Sequence, residues 1–179
     1  IEGADVAGEG CLIRYHEAFA PAGTNANFCQ VSGPHSLILR TYERGVEDEA
    51  LLAELRKFWG ERFFTDEFCE IDTPVPGAPE FVSACHDAGA FLYYLTGRHV
   101  GGMEKGTAKA LVAHGFPLWT GRVACQLKPD YFSNDREFKT AALEQIRRLR
   151  GEVVATFENE PGNANLFLEA FPEAKHFLL

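Results

Sequence analysis

From Gly77 to the end of the chain, helix-like and strand-like segments alternate, and this alternation constrains the fold more than any other feature of the sequence. Segments in that order build a parallel sheet with helices packed against it. The spacing predicts a helix over residues 78–88, with Pro79 in its first turn, Phe81, Val82 and Cys85 at helical intervals, and Gly89 as the stop. An apolar strand follows at Phe91-Leu-Tyr-Tyr-Leu95. A second helix over 104–114 stops at Gly115 and leads to a strand near 122–127. The third helix is the best marked. Ser133 or Asn134 caps it, Phe138, Ala142, Leu143, Ile146 and Leu149 keep a 3.6-residue period, and Arg147, Arg148 and Arg150 close it before Gly151. A strand over 153–157, a helix carrying Pro161 near its start and Leu166, Phe167 and Phe171 on one face, and a last strand at 177–179 complete the pattern. Because crossovers between parallel strands are right-handed almost without exception, the expected fold is a doubly wound, Rossmann-like α/β sheet covered on both faces.

Ahead of this lies a different kind of sequence. Residues 35–72 read as a small helical cap-like segment, with helices over 35–44 and 47–64 and an apolar stripe of Leu51, Leu52, Leu55, Phe58, Trp59 and Phe63. Residues 1–34 are rich in Gly, Ala, Asn and Pro, carry one short apolar piece at Cys11-Leu-Ile13, and are left unassigned. The α/β core is placed at 73–179.

Composition narrows the function classes. The chain has 179 residues, 46% of them hydrophobic and 24% charged, enough for one domain with a core. A formal net charge of −9 opposes a broad nucleic-acid footprint. No apolar run reaches the ~18 residues of a membrane span, so a soluble protein with no membrane partner is expected. The five cysteines, widely spread and without a CxxC pair, point to a reducing, cytoplasmic setting rather than a disulfide framework. Oligomeric state is not legible.

Ligands of open parallel sheets bind beyond the carboxyl ends of the strands, so the residues just after each apolar run are the candidate site. Leu95 is followed by Thr96, Gly97 and Arg98, Leu127 by Lys128, and Phe157 by Glu158, Asn159 and Glu160. A hydroxyl, an amine and a carboxylate on one edge are the groups that hold a phosphoryl oxygen, neutralise its charge and bind magnesium. Each residue also has a plainer reading. Thr-Gly after a strand is turn chemistry, Lys128 before a proline can be a solvated loop lysine, and Glu158 and Glu160 suit the start of a helix.

These segments resemble the haloacid dehalogenase-like (HAD) superfamily. Phe91-Leu-Tyr-Tyr-Leu-Thr-Gly-Arg98 looks like its second motif, Lys128 like its third-motif lysine, and Phe157-Glu-Asn-Glu-Pro161 like its fourth. The resemblance implies a magnesium-dependent phosphohydrolase acting on a small phosphorylated substrate. Thr96 and Lys128 would be the catalytic residues, Gly97 and Arg98 would contact substrate, and Glu158 and Glu160 would serve the metal. The family's nucleophile motif DxDx[TV] is not found. Glu70-Ile-Asp72-Thr73 mimics its letters but follows the cap-like segment and lacks a preceding strand. Without that aspartate the covalent step is missing. The resemblance thus predicts either a nucleophile strand ahead of Ile1 or a non-catalytic relative that binds phosphate or a partner.

Overall fold

The computed structural model of the chain describes residues 48–179. The segment left unassigned and the helix expected over 35–44 lie outside them. Helix α1 (Glu49–Arg62) and the single turn α2 (Asp66–Cys69) come first, then α3 (Ala78–Asp87), β1 (Leu92–His99), α4 (Val100–Ala113), β2 (Val123–Lys128), α5 (Asp135–Ile146), β3 (Ala155–Glu158), α6 (Pro161–Ala170) and β4 (Lys175–Leu178). The protein is mixed α/β. Its described strands form two separate two-stranded parallel sheets, β1 with β2 and β3 with β4, rather than one continuous sheet.

Local chemistry sets most of the boundaries. Asn134 caps α5 by accepting the Glu137 amide at 3.1 Å, and α6 opens with Pro161 at a position where a missing N–H costs nothing. Helices α3 and α4 end in Ala88-Gly89 and His114-Gly115, whose glycines take φ of 99° and 82°, a left-handed conformation that a Cβ would penalise. Two elements extend beyond the sequence reading. Strand β1 runs on through Thr96-Gly97-Arg98 to His99, and α4 starts directly at Val100, enclosing Gly101 and Gly102. Of the expected apolar stripe, Leu51 on α1 is exposed.

The core lies where α5 and α6 meet the sheets. Leu143, Leu166 and Phe167 are buried together, with Leu95 of β1 and Ile146, Ala170 and Phe171 packed against them. A second packing centre forms where α2 lies on α4. The Gly106 amide donates to Asp66 Oδ1 at 2.7 Å, and the backbones approach so closely that a Cβ on Gly106 would sit 2.1 Å from the Asp66 carbonyl oxygen. Buried Met103, Thr107 and Ala110 share α4 with Gly106.

On β1, burial pushes the Tyr94 phenol up to about 12, with nearby Cys125 adding to the rise, while its hydroxyl donates to the Pro117 carbonyl at 3.0 Å. The unfolded chain ionises this group near 10.0. The folded pKa is the higher one, so the contribution is complete below pH 10 and drains away as pH rises toward 12. Urea midpoints measured between pH 8 and 11 are expected to fall less steeply for Tyr94→Phe than for the parent. Parallel slopes would refute the assignment.

Candidate functional site

The carboxyl ends of β1 and β3 open into a cleft of about 270 Å³. Phe63, Phe64 and Phe68, from the segment around α2, form one wall, and Thr96, Gly97, Asp135, Lys139, Glu158, Asn159, Glu160 and Asn163 form the polar side. Phe63 and Phe64 meet edge to face at 5.0 Å, and Phe64 meets Tyr131 the same way at 4.8 Å, so the aromatic wall continues to the loop after β2.

Three ion pairs surround the polar side. At the base, Arg98 donates to Asp72 Oδ2 at 2.5 Å and to Thr107 Oγ1 at 3.0 Å, with both charged groups buried. His114 Nε2 lies 2.8 Å from the Asp72 carbonyl oxygen, tying the same loop to the end of α4. Lys139 of α5 donates to Glu158 Oε2 at 2.5 Å, again between buried partners. Glu158 Oε1 in turn accepts the amides of Asn159 and Glu160, each at 3.1 Å. Lys128 donates to Asp135 Oδ1 at 2.6 Å and to the Ser133 carbonyl at 3.0 Å. Asp135 reaches back over Gly97, where an added Cβ would stand 2.9 Å from Oδ2, so a residue without a side chain is needed there.

The sequence-derived candidates divide on this geometry. Thr96, Gly97, Arg98, Glu158 and Glu160 all border the cleft, whereas Lys128 is not among the lining residues and is spent on Asp135 and the turn after β2. Thr96 Oγ1 accepts the Arg98 amide at 3.2 Å, the turn chemistry that Thr-Gly suggests. Arg98, expected to contact substrate, is buried against Asp72. Glu160 accepts the Gly162 amide as the N-cap of α6. Of the two carboxylates expected to serve magnesium, Glu158 is engaged by Lys139 and two amides and Glu160 caps a helix, and no group of three or more His, Cys, Asp and Glu converges among the described residues.

Sequence reasoning missed the cation that occupies the cleft, Lys139. It also missed Asp72 and Asp135, which complete the pairs. Lys139 sits in mid-helix, where a lysine reads as solvated surface, and only the fold brings it to Glu158, 19 residues on. Cys69, buried beside Thr107 and Arg98, borders the same cleft. Burial pushes its thiol up, against the pull of Arg98 and the Thr107 hydroxyl, so it stays protonated and is no ready base or nucleophile. The arrangement provides neutralised polar groups facing aromatic rings, suited to holding a small polar molecule. It does not provide a free acid and base facing each other.

Comparison with known proteins overturns the resemblance drawn from the motifs. No family model matches the chain, and no solved structure matches it. Several diaminopimelate epimerases are similar to part of it. That of Chlorobaculum tepidum is 51% identical over 47 residues, 26% of this chain and 18% of the relative. That of Hydrogenobaculum sp. is 53% identical over 51 residues, 28% and 18% respectively, and that of Gemmatimonas aurantiaca 44% identical over 64 residues, 31% and 23%. The chain spans about a fifth of the length of the relatives it matches. The HAD assignment, the hydrolase and phosphatase reading built on it, and its non-catalytic variant are therefore replaced. The short motifs at strand ends take part in turn, cap and ion-pair contacts, whereas the stretch of sequence that has listed relatives is similar to epimerases.

Proposed function

We propose that this chain takes part in epimerisation of diaminopimelate, or of an amino acid with the same paired ammonium and carboxylate ends. The observation that supports this reading is identity of 49–53% over 47–51 residues to several bacterial diaminopimelate epimerases. An epimerase inverts one carbon, which requires a base to take the proton from one side and an acid to return a proton from the other. In the described cleft the Cys69 thiol is enclosed and protonated, and Asp72, Asp135 and Glu158 are each paired with a cation. Proton transfer is therefore assigned to groups outside the cleft. The cleft's role in this reading is to hold a polar ligand, with Asn159, Asn163 and Glu160 toward its charged ends and the phenylalanine wall along its carbon chain. The setting in this reading is cytoplasmic. Among the described residues Cys69, Cys85 and Cys125 are free, and no helix is long and apolar enough to cross a membrane.

The test is to incubate the full chain with one stereoisomer of diaminopimelate in D2O. Deuterium at the α-carbon, by mass spectrometry, and the second stereoisomer, by chiral chromatography, are the expected results. If a folded sample at substrate-level concentration produces neither, the reading is overturned.

A further inference from the structure

The aromatic wall of the cleft does not stop at the cleft. Phe63 and Phe64 line it, and from them a chain of ring contacts runs outward through Tyr131 to Phe132, with centroid separations of 5.0, 4.8 and 5.3 Å. Each ring stands nearly perpendicular to the one before it, at 79°, 81° and 85°. His99, the last residue of β1, flanks the chain with its ring 5.9 Å from that of Tyr131. Exposure rises along the way, from half-buried Phe63 and Phe64 to Tyr131 at 48% and Phe132 at 91%. A ring so open to water adds little to the core, and covering it is favourable.

The turn nevertheless holds Phe132 in place. Asp130 Oδ1 accepts the amides of Phe132 and Ser133, each at 2.8 Å, and Lys128 Nζ donates to the carbonyls on either side, Tyr131 at 3.4 Å and Ser133 at 3.0 Å. The backbone that carries the ring is thus ordered before any ligand arrives, which lowers the entropy cost of binding there. We infer that the ligand of the cleft extends beyond it and lays a flat, uncharged group on Tyr131 and Phe132, so that an amino acid carrying an aromatic acyl group at its remote end is bound in preference to the free one. This rests on the reading above that the cleft holds an amino acid. Continuity identifies the occupant, because the ring chain begins among the residues that line the cleft and one molecule can touch both. The chemistry of the tail follows from the rings. Their faces carry partial negative charge, so a carboxylate gains nothing against them, whereas a flat neutral ring stacks or meets them edge to face.

Isothermal titration calorimetry of the full chain with diaminopimelate and with its mono-N-benzoyl derivative tests this. The benzoyl derivative is expected to bind the parent about tenfold more tightly. In Phe132→Ala, which removes a ring the core does not use, that ratio is expected to fall to about one, and in Phe132→Tyr to persist. A parent with no preference for the derivative, or a preference that survives Phe132→Ala, overturns the inference. Diaminopimelate bound and epimerised without such a preference overturns the inference alone and leaves the epimerase reading standing. A benzoyl derivative bound through Phe132 without deuterium uptake upholds the inference while the epimerase reading fails. A parent that sediments as a dimer, becomes monomeric in Phe132→Ala and shows no preference puts a second copy on the ring instead, and overturns the inference.

Discussion

Asp72→Ala is expected to destabilise the protein by about 3–5 kcal/mol, the usual consequence of removing one member of a buried ion pair. Asp72 and Arg98 are 4% and 8% exposed, and the carboxylate neutralises a guanidinium that water scarcely reaches. Truncation leaves that charge enclosed with Thr107 and near the raised thiol of Cys69, neither of which compensates it. The cost is thus one of uncompensated charge more than of a lost attraction. The discriminating measurement is a pair of urea titrations. Asp72→Ala combined with Arg98→Met, which removes both charges and keeps apolar volume, is expected to recover much of the loss. A single variant as stable as the parent, or a double variant worse than the single one, would refute the account.

Gly106→Ala is expected to cost about 1–3 kcal/mol, although alanine is the better helix former by up to about 1 kcal/mol. Steric overlap decides the sign. The added Cβ would meet the Asp66 carbonyl oxygen, Cα and carbonyl carbon at 2.1, 2.6 and 2.7 Å, all backbone atoms that no rotamer change can move. Helix α2 must then lift from α4, breaking the Gly106–Asp66 hydrogen bond and displacing the phenylalanine wall. Amide exchange at Asp66–Cys69 should rise along with the loss of stability. Gly121→Ala, where nothing lies within 4 Å, is the control and should change neither. Equal behaviour of the two variants would rule out the close approach as the reason for glycine at 106.

What was legible in the sequence is the part governed by neighbours in the chain. The caps and stops at Asn134, Pro161, Gly89 and Gly115 act over three or four residues, and the helices they bound are found there. The start of α4 was not legible, because Gly101 and Gly102 disfavour a helix locally. They are accepted where Gly102 must pass close to the Phe64 carbonyl, a contact between residues 38 positions apart. For the site, the geometry of parallel strands puts Thr96, Gly97 and Glu158 at strand ends, and they line the cleft. The partners that decide what Arg98, Lys128 and Glu158 do are Asp72, Asp135 and Lys139, and only the folded chain brings two of those partners from distant segments. Asp72, whose neighbours imitate the letters of a motif, anchors the base of the cleft through Arg98.

The pairing of charges around the cleft also bears on how fast a ligand arrives. With Arg98, Lys128 and Lys139 each cancelled at close range, little local field draws an anion inward, while the chain as a whole carries −9. A dianion therefore approaches against a weak long-range repulsion that added salt screens, and its encounter rate rises with ionic strength. A dication behaves in the opposite way. A zwitterion with balanced ends is nearly indifferent to both, and its capture depends on how well it fits once inside rather than on how it is guided there.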